Sequence, residues 1–130
     1  MDNLDGSNGA FIAFADSRNS REDLGGYFPN VDIYDQHISN TGTRLWTNNG
    51  IPVCNQTMDQ DMVDYYTNIP SMVPDGAGGF IIAFETYTDT TDQTGNFYLQ
   101  RLNTNGAMLW TAAAVQSIAP HQPIRGALMV

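Results

Sequence analysis

Apolar residues along this chain come in short runs bounded by glycine. Residues 9–14 and 79–84 are two such runs, and a brief continuous apolar stretch between turn residues is the pattern of a strand buried on both faces. Residues 33–38 and 97–102 alternate instead. Ile33, Asp35 and His37 share one face and Tyr34, Gln36 and Ile38 the other, while Phe97, Leu99 and Arg101 oppose Tyr98, Gln100 and Leu102. That period of two predicts two further strands. Residues 39–42 and 103–106 follow them, and their Asn and Gly tolerate positive φ, so each predicts a hairpin closing onto residues 44–47 or 108–111. One more element, residues 65–73, carries Ile69, Met72 and Val73, with Pro70 and Pro74 marking an irregular or edge strand.

These elements repeat. Asp5, Gly6, Gly9, Ile12, Ala13 and Phe14 recur as Asp75, Gly76, Gly79, Ile82, Ala83 and Phe84, an offset of 70. Tyr34, Gln36, Gly42, Leu45, Trp46 and Thr47 recur as Tyr98, Gln100, Gly106, Leu109, Trp110 and Thr111, an offset of 64. The difference lies in the connecting loop, residues 15–30 in the first repeat and 85–94 in the second. A leading strand precedes only the second repeat, and residues 120–130 supply a surplus strand at the end. The expected fold class is all-β: two units of four antiparallel strands, the first lacking its own leading strand, with the C-terminal strand completing the sheet of the first or of a neighbouring unit. The expected division is residues 1–60, 61–117 and 118–130.

Composition points the same way. Asp, Asn, Thr and Gly number twelve each; they are turn, cap and strand residues, and they exclude a helical bundle. With no Lys and a net charge of −9, the surface repels phosphate backbones and anionic headgroups, so nucleic acid is not an expected partner. The longest apolar runs, such as residues 79–84, fall well short of the roughly 20 residues of a membrane helix, and no membrane insertion is expected. Met1, Asp2, Asn3 and Asp5 do not form a basic-then-apolar leader, so the expectation is either a cytosolic protein or a mature piece of something longer. Cys54 is the only cysteine; it permits no internal disulfide and reads as a small, half-buried residue at a strand end.

The run Asp75, Gly76, Gly79, Ile82, Ala83, Phe84, followed by Tyr98, Gln100, Arg101, Leu102, Gly106, Leu109 and Trp110, resembles the β-propeller repeats of large secreted and surface proteins of bacteria, of the Bacteroidota type. The resemblance covers about two blades, most of the chain, with His37 standing where the pattern has Arg. It implies that the two four-stranded units are β-propeller blades and that the location is extracellular or at the cell surface. A closed propeller uses about four to eight blades. The implied partners are therefore other copies of the chain, each giving residues 120–130 to the sheet of a neighbour's residues 9–14, or further blades of a longer chain.

Trp46 and Trp110 occupy equivalent positions. An exposed indole there offers a stacking platform for a sugar ring, whereas a Leu-Trp pair repeated beside a hairpin reads first as the packing layer between sheets. Tyr34 with Gln36, and Tyr98 with Gln100, read as groups tying neighbouring strands. Residues 15–30 are the least repeat-like part, and loops carry function on rigid scaffolds, so Arg18, Arg21, Glu22 and Tyr27 join Trp46 and Trp110 as candidate ligand-binding residues. Asp59, Asp61 and Asp64 are candidate calcium ligands, although the spacing of an EF-hand is absent. No other cofactor is expected. Asp5 and Asp75 read as caps of their own turns, and residues 55–57 match a glycosylation acceptor triplet.

No catalytic residue is nominated. Glu22 and Glu85 form no readable acid pair, His37 and His121 fall in unrelated contexts, and no serine lies in a Gly-x-Ser-x-Gly elbow. The expected function is a non-catalytic scaffold or interaction module of a secreted or surface bacterial protein, with a glycan or surface protein as partner. The alternatives are a carbohydrate-binding lectin assembled from two-bladed protomers and a hydrolase with its site on the propeller funnel.

Overall fold

A computed structural model describes residues 9–19, 31–54, 59–61, 71–87 and 95–118. They form eight strands and, among the described residues, no helix: β1 (Ala10–Asp16), β2 (Asp32–Ile38), β3 (Ile51–Pro52), β4 (Asp59–Asp61), β5 (Ser71–Pro74), β6 (Phe80–Tyr87), β7 (Gly95–Leu102) and β8 (Val115–Ile118). The fold is all-β, in two antiparallel sheets. The first runs β1-β2-β3; the second runs β4-β6-β7-β8, with β5 and β4 sharing successive parts of one edge of β6.

The two sheets keep the same register once the offsets of the repeat are applied. Ala10↔Ile38 and Phe14↔Tyr34 in the first correspond to Phe80↔Leu102 and Phe84↔Tyr98 in the second. Asp35↔Ile51 corresponds likewise to Leu99↔Val115. The turns after β2 and β7 match as well. Gly42 and Gly106 take φ of 82° and 80°, a conformation that costs glycine nothing, and their amides donate to the Ser39 and Asn103 carbonyls at 3.0 and 2.9 Å. The side chains of Ser39 and Asn103 accept from the Thr43 and Ala107 amides, both at 3.0 Å.

Three sequence expectations are corrected. First, the hairpins do not close onto strands at residues 44–47 and 108–111. Only the single bridges Ile38↔Arg44 and Leu102↔Met108 form, and the ladder resumes at β3 and β8. The cause is chemical: Gln36 and Gln100 donate from Nε2 to the Thr47 and Thr111 carbonyls, at 2.7 and 2.9 Å, which holds these segments in a loop rather than a ladder. Second, β4 adds a strand the pattern did not announce; of the leading strand expected at residues 65–73, Ser71–Pro74 forms β5 beside β6, and residues 65–70 lie outside the described residues. Third, the two glycine-bounded strands differ in burial. Phe80, Ile82, Ala83 and Phe84 of β6 are all buried, whereas β1 buries Phe11 and leaves Ile12 47% exposed.

The core lies between the sheets. Phe11, Ile33, Val53 and Cys54 from the first meet Phe80, Ile82, Phe84, Tyr98 and Leu102 from the second, and the rings of Phe11 and Phe80 stand 4.8 Å apart. Full burial of such side chains stabilises by about 1.5–3 kcal/mol each. Cys54, read as half-buried, is buried in this cluster.

Candidate functional site

A cleft of about 360 Å³ lies at the junction of the two sheets, lined by His37, Leu45, Trp46, Thr104 and Asn105. Gln36 builds it. Its Oε1 accepts from the amides of His37 and Trp46, at 3.0 and 3.2 Å, while Nε2 donates to the Thr47 carbonyl. A buried amide whose oxygen and nitrogen are both bonded is rigid, because breaking either bond strands a polar group away from water. The Leu45 amide donates to the His37 carbonyl at 2.8 Å, and Thr47 Oγ1 donates to the Gly50 carbonyl at 2.5 Å.

Trp46 is thereby aimed across the junction. Its Nε1–H donates to the Thr104 carbonyl at 3.1 Å, and its ring meets Phe11 and His37 at centroid separations of 5.6 and 5.7 Å. Phe11 and His37 are closer still, at 4.3 Å. The Gly106 turn fits between Trp46 and Ile51: a Cβ on Gly106 would lie 2.5 Å from Ile51 Cδ1 and 3.2 Å from Trp46 Cε2. The indole N–H that would orient a ligand is therefore already engaged by the second repeat.

The second repeat builds the same loop without the neighbour. Gln100 Oε1 accepts from the Arg101 amide at 3.0 Å, Leu109 donates to the Arg101 carbonyl at 2.7 Å, and Thr111 Oγ1 donates to the Ala114 carbonyl at 2.7 Å. Trp110 ends up 36% exposed. Arg101, which stands where the first repeat has His37, donates from Nε to Asp75 Oδ2 at 2.8 Å. Asp75 Oδ1 accepts from the Ala77 and Gly79 amides at 2.7 and 2.8 Å, the turn cap expected of it. Burial pushes the Asp75 carboxyl up, but the Ala77 amide, the Arg101 guanidinium and the Gly79 amide outweigh that, leaving it below the usual carboxylate range.

Asp35 is the group that pattern reading passed over. It is 0% exposed, on the β2 face turned toward the second sheet, where the second repeat carries Leu99. Oδ1 accepts from the Gln36 amide at 2.8 Å and Oδ2 has no hydrogen-bond partner. Burial pushes this carboxyl up to about 7, against the pull of the Gln36 and Ile12 amides. The signal was present in the alternation, since an Asp between Ile33 and His37 on the inward face is a charge at a core position.

The remaining candidates fall in different places. Arg18 pairs with the Asp16 carboxylate and lies over the Tyr34 ring, 4.0 Å from its centroid; this hydrogen bond holds Asp16 below the usual carboxylate range. Asn19 Nδ2 donates to Asp32 Oδ2 at 2.9 Å, so the end of β1 is tied to the start of β2. Arg21, Glu22 and Tyr27 lie outside the described residues, as do Asp5, Asp64 and residues 55–57 and 120–130. Asp59 and Asp61 are on β4. Among the described residues no group of three His, Cys, Asp or Glu comes together to hold a metal ion. The structure thus unites Trp46 with His37 and Thr104, and it separates them from Arg18 and Trp110. No family model matches the chain, and no match is found among curated proteins or solved structures.

Proposed function

We propose that this chain is a non-catalytic scaffold module in which each repeat is a β-propeller blade and the two blades stack as a rigid pair. One observation carries the reading: one face of the first sheet (Phe11, Ile33, Val53) packs on the opposite face of the second (Phe80, Ile82, Phe84), the relation of adjacent blades around a ring. The polar chemistry supports it. Gln36, Gln100, Asp75 and the Trp46 indole are bonded to the framework's own turns rather than turned toward a ligand. The resemblance of the repeats to those of secreted and surface bacterial proteins makes the cell exterior the proposed location.

The test is a glycan array probed with and without calcium. The scaffold reading expects silence in both. Saturable binding that is lost in Trp110→Ala would replace it with the lectin reading, because Trp110 is the more exposed of the two indoles.

A further inference from the structure

Asp35 stands inside the contact between the two sheets. It is 0% exposed, Oδ1 accepts from the Gln36 amide, and Oδ2 has no hydrogen-bond partner among the described residues. Within the first sheet it is flanked by Ala13 of β1 and Ile51 of β3, and His37 of its own strand shares its face. The surface opposite brings no charge. On β6 the facing positions run to Thr86, also fully buried and with its hydroxyl unbonded, and on β7 the titratable residue is Tyr98, opposite Phe84. Asp59 and Asp61 of β4 take register positions with Tyr87 and Glu85, on the other face of the second sheet. The described arginines are engaged elsewhere: Arg18 with Asp16, Arg44 with the Asn48 carbonyl and Arg101 with Asp75. A carboxylate so placed has neither water nor a cation beside it, so the contact tolerates the acid and not its anion. The second repeat carries Leu99 at the equivalent position, so the sheet itself does not require an acid there.

We infer that the junction is a proton-controlled latch: with Asp35 protonated the two sheets stay packed, and loss of that proton parts them while each keeps its own ladder. The ladder hydrogen bonds run within each sheet, so parting hydrates Asp35 at the expense of the apolar contacts and of the Trp46 bond to the Thr104 carbonyl. Burial sets the direction. Closed, Asp35 keeps its proton up to about 7; open, it regains the ordinary value of 3.8. Opening is therefore least favourable below about pH 4, grows about tenfold per pH unit up to 7 and is level above that. The inference deepens the scaffold reading and rests on its stacked pair, which becomes rigid under acid conditions and jointed above neutrality.

Hydrogen exchange of the Trp46 indole N–H, followed by nuclear magnetic resonance, tests it, since that proton is bonded across the junction. Its protection is expected to fall about a hundredfold between pH 5 and pH 7 and to stay level up to about pH 8.5. At each pH it is expected to lie at least about tenfold below that of the β6–β7 ladder amides, the mark of an opening short of unfolding. Asp35→Asn is expected to hold the indole protection constant across the range. His37→Gln is expected to keep the fall, which separates Asp35 from an imidazole, a group that changes charge over the same pH range. If Asp35→Asn does not fold, Asp35→Leu, the residue of the second repeat, replaces it. Indole protection that is flat in the unaltered chain, a fall that persists in the Asp35 variant or vanishes in His37→Gln, or indole and ladder amides equally protected, overturns the inference. In each of those cases an indole protected at pH 5 leaves the stacked pair standing, whereas an indole unprotected at every pH removes the pair as well.

Discussion

A carboxyl with no exposure ionises only by giving up its hydration, and Asp35 is in that position with one oxygen unbonded. Its folded-state value, about 7 against 3.8 for the free side chain, fixes the sign of its effect. Below about pH 4 both folded and unfolded chains hold the proton and stability is at its full value. Between 4 and 7 the unfolded chain releases it first, so stability falls as pH rises, by something on the order of 4 kcal/mol in total. Above 7 both states are ionised and the dependence ends. Denaturant melts at pH 5 and 8 are expected to show the chain more stable at 5, and Asp35→Asn is expected to flatten that difference and gain about 1–2 kcal/mol at pH 8. A second residue-scale expectation concerns Gln100. Gln100→Met keeps the volume but leaves the Thr111 carbonyl and the Arg101 amide without this partner, and a loss of about 2–3 kcal/mol is expected in the same melts.

At the scale of elements, equivalent positions have unequal surroundings, and the inequality is measurable. Trp46 packs against the core and reaches the Thr104 carbonyl; among the described residues Trp110 does neither, and it is 36% exposed. Trp46→Ala is expected to cost about 3 kcal/mol and Trp110→Ala under 1 kcal/mol in the single chain, as read from urea midpoints. The glycines divide likewise. Gly42→Ala meets only the strain of positive φ, about 1 kcal/mol, while Gly106→Ala also drives a methyl into Ile51 and Trp46 and is expected to cost at least twice that. Much of this element plan was legible in the chain: the alternation at residues 33–38 and 97–102 gave β2 and β7, and the Gly42 and Gly106 turns followed from residue chemistry. The Leu-Trp loops were not, because a side chain ten residues upstream, Gln36 or Gln100, decides that they leave the ladder, and no local propensity carries that information. The exposure of Ile12 was hidden for a related reason. Its apolar neighbours are those of Ile82, and only the order in which the sheets stack sets the two apart.

For the whole molecule, the sequence repeat has become a geometric one: two sheets with the same register, packed face to opposite face. The acidic composition fits an exterior in water, while the surfaces that meet combine an apolar cluster with the buried polar groups Asp35, His37 and Gln100. Among the described candidate residues, Trp46 serves the junction and Arg18 ties β1 to β2. The account depends most on the junction itself, and nuclear Overhauser spectroscopy of the chain reads it directly. Cross-peaks between the Trp46 indole and the Gly106 α-protons, and between the Phe11 and Phe80 rings, are expected. Absence of the Trp46–Gly106 and Phe11–Phe80 cross-peaks, in a chain whose two sheets are both formed, would contradict the stacked pair.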